Sequence, residues 1–182
     1  DASAEDDGLP RDCDVACDAQ KRFDAGDRAG ALRLLKRAAD EHPSQSAPLV
    51  LAARMLAATL QYDDAELVVR LALERDQIDA EAHFVHGLVL QGLNRADAAL
   101  DALRRSAYLD PDHVLAHFSL ACLLDTLGSP ARACAALDRV DELLSMMDDD
   151  DRVVDEYECV TAGRLRELSE VRRQLLHREV SV

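Results

Sequence analysis

Histidine supplies the residue pairs whose spacing comes nearest to chemistry. His83 and His86 stand three apart and His113 and His117 four apart, so each pair can share one face of a helix. Two imidazoles on one face are the beginning of a metal site, but zinc takes three or four protein ligands. No Cys or carboxylate set of matching spacing accompanies either pair. Cys13 and Cys17 likewise share a helical face without further ligands. The chain has no Gly-rich phosphate loop, no G-x-S-x-G and no H-E-x-x-H. The expectation is therefore no catalytic, metal or cofactor-binding residue in this segment, no enzymatic activity of its own, and a packing role for the histidines.

Charge narrows the partners. Across 182 residues, Asp+Glu number 36 against 21 Lys+Arg, a formal net charge of −15. A phosphate-backbone binder needs a basic face, so nucleic acid is not an expected partner. No run of 18 apolar residues occurs, which argues against membrane insertion. The opening Asp1-Ala2-Ser3-Ala4-Glu5-Asp6-Asp7 does not read as a signal peptide. Five cysteines without a C-x-x-C pair do not read as a disulfide framework, and a cytoplasmic location is expected. The missing initiator Met suggests a piece of something longer.

The elements that position these residues repeat every 34 positions. Ala19, Ala53, Gly87 and Ala121 form one column, and Ala31, Ala65, Ala99 and Ala133 a second. Ala38, Ala72 and Ser106 form a third, which Val140 breaks. Small residues are needed where antiparallel helices cross closely. A 34-residue helix-turn-helix unit with such columns resembles the tetratricopeptide repeat (TPR). The fold expected is all-α, a right-handed TPR superhelix (α-solenoid) of four units, 12–45, 46–79, 80–113 and 114–147, which together make up a domain spanning 12–147. Their turns are read at Gly26-Asp27, Tyr62-Asp63, Asn94-Arg95 and Gly128-Ser129-Pro130. Pro43 and Pro111 stop the second helix of their units. An acidic linker, 1–11, precedes the array.

In a TPR superhelix, positions 2, 5, 9 and 12 of each first helix line a concave groove. Unit one supplies Cys13, Ala16, Gln20 and Phe23, and unit two Ala47, Val50, Arg54 and Ala57. Units three and four supply Glu81, Phe84, Leu88 and Gln91, then Leu115, Phe118, Cys122 and Asp125. TPR domains that grip a C-terminal carboxylate present several basic and amide side chains there, whereas this groove offers Arg54 among apolar residues. The candidate partner-binding residues are thus Val50, Arg54, Phe84, Leu88, Gln91, Leu115, Phe118, Cys122 and Asp125. Val50, Phe84, Leu88, Leu115 and Phe118 read as an apolar patch suited to a helix or peptide of a protein partner.

After Met147 the period stops. Residues 148–160, opening Asp148-Asp149-Asp150-Asp151, read as a solvated acidic connector. A last helix is expected within 161–182, with Thr161 as N-cap. Its Leu165, Leu168, Val171 and Leu175 form an apolar stripe that either caps the array or docks elsewhere, in the chain's own groove or on a partner.

Two stretches carry a narrower likeness. Ala107-Tyr108-Leu109-Asp110-Pro111-Asp112-His113-Val114-Leu115-Ala116-His117-Phe118 is followed, beyond the acidic break, by Val160-Thr161-Ala162-Gly163-Arg164-Leu165. Together they resemble the C-terminal TPR extension of chemotaxis-type (CheR-like) chemoreceptor glutamate methyltransferases, although Cys159-Val160 departs from the usual residues ahead of Thr161. The resemblance implies a separate, N-terminal catalytic domain that uses S-adenosylmethionine, and no motif of that domain is present here. It implies that this segment docks a chemoreceptor segment, the catalytic domain or a signalling protein, and so regulates or targets the enzyme. A TPR adaptor or chaperone unrelated to methylation is the alternative.

Overall fold

A computed structural model describes residues 12–151, 153 and 160–180. The acidic linker 1–11 and residues 152 and 154–159 of the connector, Cys159 included, lie outside the described residues. Among the described residues the chain forms α1 (Asp12–Asp24), α2 (Arg28–Glu41), α3 (Ala47–Ala58), α4 (Tyr62–Arg75) and α5 (Ala80–Gly92). Then come α6 (Ala96–Leu109), α7 (Val114–Thr126), α8 (Pro130–Leu144) and α9 (Ala162–Val180). The first eight pair as four antiparallel hairpins, and each hairpin packs on the next.

Backbone conformation carries the 34-residue period as clearly as residue type does. Gly26, Leu60, Asn94 and Gly128 have φ of +88°, +61°, +58° and +68°. Each ends its helix in the same way: Gly128 N–H donates to the Asp125 carbonyl and Ser129 N–H to that of Leu124, both at 2.9 Å. The second turn is thus Leu60-Gln61 and not Tyr62-Asp63, since Tyr62 already opens α4. Leu60 takes a left-handed conformation because its column requires one, and its side chain is 72% exposed.

Two of the small columns are wholly buried at the helix crossings. A Cβ on Gly87 would lie 2.7 Å from Leu103 Cγ, so α5 and α6 could not keep their present separation with a larger residue there. Leu35, Val69, Leu103 and Leu137, again 34 apart, are all buried. No helix among the described residues is long and apolar enough to cross a membrane.

The helix α9 packs on α8 much as α3 packs on α2, α5 on α4 and α7 on α6. Thr161 Oγ1 accepts the Arg164 N–H at 3.3 Å, capping its start. Gly163 lets the chain close, for a Cβ there would sit 3.1 Å from Asp149 Cβ. Arg166 donates to the Leu144 and Met147 carbonyls at the end of α8 and pairs with the Asp149 carboxylate. The first residues of the connector are therefore pinned, not simply solvated. Asp148 N–H donates to Asp151 Oδ2 at 2.7 Å, and Ala162 N–H to the Asp151 carbonyl at 2.8 Å.

The apolar stripe on this helix does not dock as one surface. Leu165 is buried, but Leu168, Val171 and Leu175 are 37%, 55% and 47% exposed. The face against the array is Ala162, Leu165, Ser169 and Leu176. Carboxylates on α8 select it: Ser169 Oγ donates to Asp141 at 2.7 Å and Arg173 to Asp138 at 2.7 Å. Satisfying those acids turns Leu168, Val171 and Leu175 outward.

Candidate protein-binding groove

The helix α3 packs on α5, and α7 meets α5 at its start through His113, which decides which side chains remain available. Val50 is 4% exposed and Phe84 5% exposed, so both belong to the core rather than to a groove surface. Phe84 also lies against His113, ring centroids 4.7 Å apart. Val50 and Phe84 belong to one buried cluster with Ala53, Val85 and Leu90.

What lies above these two is a polar ladder. Arg54 of α3 pairs with Glu81 of α5, and Glu81 Oε2 accepts from His113 Nε2 at 2.9 Å. His113 is the N-cap of α7, and its Nδ1 accepts the Ala116 N–H at 3.2 Å. Nδ1 therefore carries no proton, and the Nε2–H faces Glu81. The groove's cation is neutralised by this arrangement, which removes the charge that would attract a free carboxylate.

Beside the ladder is a cavity of about 210 Å³ lined by Arg54, Glu81, Phe84, His113, Leu115 and Val153. Leu88, Leu115 and Phe118 remain half-buried. Leu115, Phe118, Val153 and Val160 all pack against one buried cluster that includes Val114, Val140 and Leu165, so the described ends of the connector border this part of the predicted patch. Asp125 pairs with Arg172 at 3.3 Å, and the Cys122 carbonyl accepts from the same guanidinium at 3.5 Å. The C-terminal end of the groove is thereby closed by α9. Gln91 Nε2 is buried and has no hydrogen-bond partner among the described residues.

The histidine pairs noticed in the sequence are not brought together on a ligand. His83 Nε2–H donates to the Gln77 carbonyl at 3.1 Å and His117 Nε2–H to that of Pro111 at 3.0 Å. Both tie the loop between hairpins to the helix that follows. Burial pushes the His117 imidazole below its usual range, opposed by the hydrogen bond to Pro111. No cluster of three or more His, Cys, Asp or Glu able to hold a metal occurs among the described residues.

Sequence reasoning missed a second surface, a cleft of about 500 Å³ lined from α4, α5 and α6 by Glu66, Arg70, His86, Arg95 and Arg105 among others. Its signal was available in the columns, where Glu66 aligns with Leu32, Leu100 and Cys134. His86 aligns with Ala52 and Leu120 in the neighbouring hairpins, and with Asp18 in the first.

Residues 22–86 match the family model of a tetratricopeptide repeat. No curated protein sequence matches the chain. Among solved structures, MamA (residues 41 to the end) from Desulfovibrio magneticus RS-1 superposes with a TM-score of 0.63 at 19% identity. That likeness covers 74% of this chain and 76% of MamA. The fold is a tetratricopeptide-repeat solenoid. A similar likeness links it to the Yersinia enterocolitica type III secretion chaperone SycD, solved with a peptide of the translocator YopD. There the TM-score is 0.61 at 18% identity, covering 72% of this chain and 91% of SycD. In TPR terms, α9 takes the place of the first helix of a fifth unit.

Proposed function

We propose that this chain is a non-catalytic protein-interaction module that takes a helix or peptide of a protein partner in its concave groove. The observation that carries the reading is the half-buried row Leu88, Leu115 and Phe118 beside a charge-neutral ladder of Arg54, Glu81 and His113. Such a surface rewards burial of apolar side chains and offers no net positive charge to a carboxylate terminus. Sharing its fold with a chaperone crystallised with a peptide supports the same reading. The finer proposal is that the partner belongs to chemosensory signalling and that the chain serves a receptor methyltransferase. It is supported by Val160-Thr161-Ala162-Gly163-Arg164-Leu165, which here form the built junction between the connector and α9. An adaptor or chaperone role apart from methylation is the alternative.

A photo-crosslinking residue placed at Leu88, and separately at the exposed Leu71 of α4, tests the module. Crosslinks to one protein from Leu88 and none from Leu71 are expected. Capture from Leu71 alone would refute the groove. If the captured protein is a receptor or methyltransferase domain, the finer proposal stands; an unrelated secreted or structural protein refutes it in favour of the adaptor.

A further inference from the structure

Because the hairpins share columns, a polar residue where the other hairpins are apolar marks a local purpose. Glu66 stands where the other hairpins have Leu32, Leu100 and Cys134. His86 stands where the neighbouring hairpins have Ala52 and Leu120, the first hairpin alone having another polar residue, Asp18, in that column. Both ionisable groups line the cleft of about 500 Å³ bounded by α4, α5 and α6, where Ala98 and Ala102 leave space. This cleft shares no lining residue with the cavity beside the polar ladder.

Its charges are unequally paired. Glu66 is occupied by Arg95, whose Nη1 lies 2.8 and 3.0 Å from the two carboxylate oxygens. Asp101 is engaged by Arg104 at 3.5 Å. Arg70 makes no hydrogen bond or ion pair among the described residues, and Arg105 only lies over the Tyr108 ring, 6.0 Å from its centroid. In a chain of net charge −15, two guanidinium groups without carboxylate partners share one cleft. Guanidinium forks match carboxylate and phosphate oxygens in geometry and charge. The volume is that of a small-molecule site.

We propose that this cleft binds a small ligand bearing a carboxylate or phosphate group, held by Arg70 and Arg105 with the His86 imidazole beside it. The Glu66–Arg95 pair positions the wall of the site. Binding here is independent of the concave groove, so the two readings fail separately.

Isothermal titration of the whole chain with citrate, and in a parallel arm with inorganic phosphate, tests it. Saturable binding of at least one anion is expected, and the arm that responds names the source. Arg70→Ala and Arg105→Ala should each weaken it about 10-fold or more, the loss expected for a charge-assisted hydrogen bond. Arg33→Ala on α2 and Leu88→Asp in the groove should leave it unchanged. Both arginines are exposed, so their removal does not threaten the fold. Absence of saturable heat with both anions, or undiminished heat in the Arg70→Ala/Arg105→Ala double variant, overturns the proposal.

Discussion

One helix, α5, serves two unlike surfaces. Toward the groove it sends Glu81 and Leu88, and the Glu81 charge is matched by Arg54 while His113 Nε2–H donates to it. Toward α4 and α6 it sends His83 and His86, into a cleft where Arg70 and Arg105 have no carboxylate partner among the described residues. Helical period places the two sets on different faces, and the repeat fixes the backbone of both. What separates them is charge pairing: one surface is balanced and partly apolar, the other carries unopposed cations. The fold supplies positions, and individual side chains at those positions decide what each surface accepts.

The largest effect should come from breaking the support both surfaces share. Phe84→Asp puts a carboxylate into an enclosed site and should cost about 3 kcal/mol or more, abolishing a cooperative thermal transition. Leu88→Asp, four residues on and half-buried, should retain native helicity by circular dichroism. If the Phe84→Asp variant melts like wild type, Phe84 is a groove residue after all. Next, Gly87→Ala drives a methyl against Leu103 and should destabilise by about 1–3 kcal/mol in denaturant titration, at the crossing on which both faces depend.

His113→Ala removes a cap and leaves Glu81 with one partner fewer, a loss of about 1–2 kcal/mol. Arg70→Ala in the cleft should change stability by less than about 0.5 kcal/mol, because no partner is lost. Equal costs at these two positions would erase the contrast between balanced and unopposed charge.

Acidity separates the faces further. Burial pushes the His86 imidazole below its usual range, with smaller contributions from Glu66, which raises it, and His83 and Arg70, which lower it. Asp101, Arg95 and Arg105 complete the ionisable groups lining the same cleft. A depressed folded-state value means that the unfolded chain binds the proton first. The stability from a neutral His86 is therefore complete above the ordinary value of about 6.5 and is lost as pH falls through the folded value. His86→Leu, the residue found at the equivalent Leu120, should flatten part of the decline in melting temperature between about pH 7 and 5. An unchanged slope would show that His86 is not buried neutral.

Much of the scaffold was legible because it rests on local rules. Small residues mark crossings, and Gly26, Asn94 and Gly128 announce positive φ. Leu60 announces nothing by its type, and only its column reveals it. The groove was legible as a place but not in its members. Whether position 5 of a first helix faces solvent or the neighbouring helix depends on the rotation between hairpins, which no single side chain encodes. That rotation encloses Val50 and Phe84 and leaves Leu88 and Phe118 half-buried. On α9 an apolar stripe was visible, but its orientation was set by Asp138 and Asp141, thirty or so residues away. The cleft required comparing columns for polar exceptions rather than for shared smallness.

The central claim, that the concave face takes a protein segment by apolar burial, is tested most directly by one affinity. A peptide covering the segment crosslinked at Leu88 is titrated by fluorescence anisotropy against wild type and Leu88→Asp. Removing one buried leucine contact is worth about 1.5–3 kcal/mol, so affinity should fall roughly 10- to 100-fold while helicity is unchanged. Equal affinity in a folded Leu88→Asp protein would contradict the account.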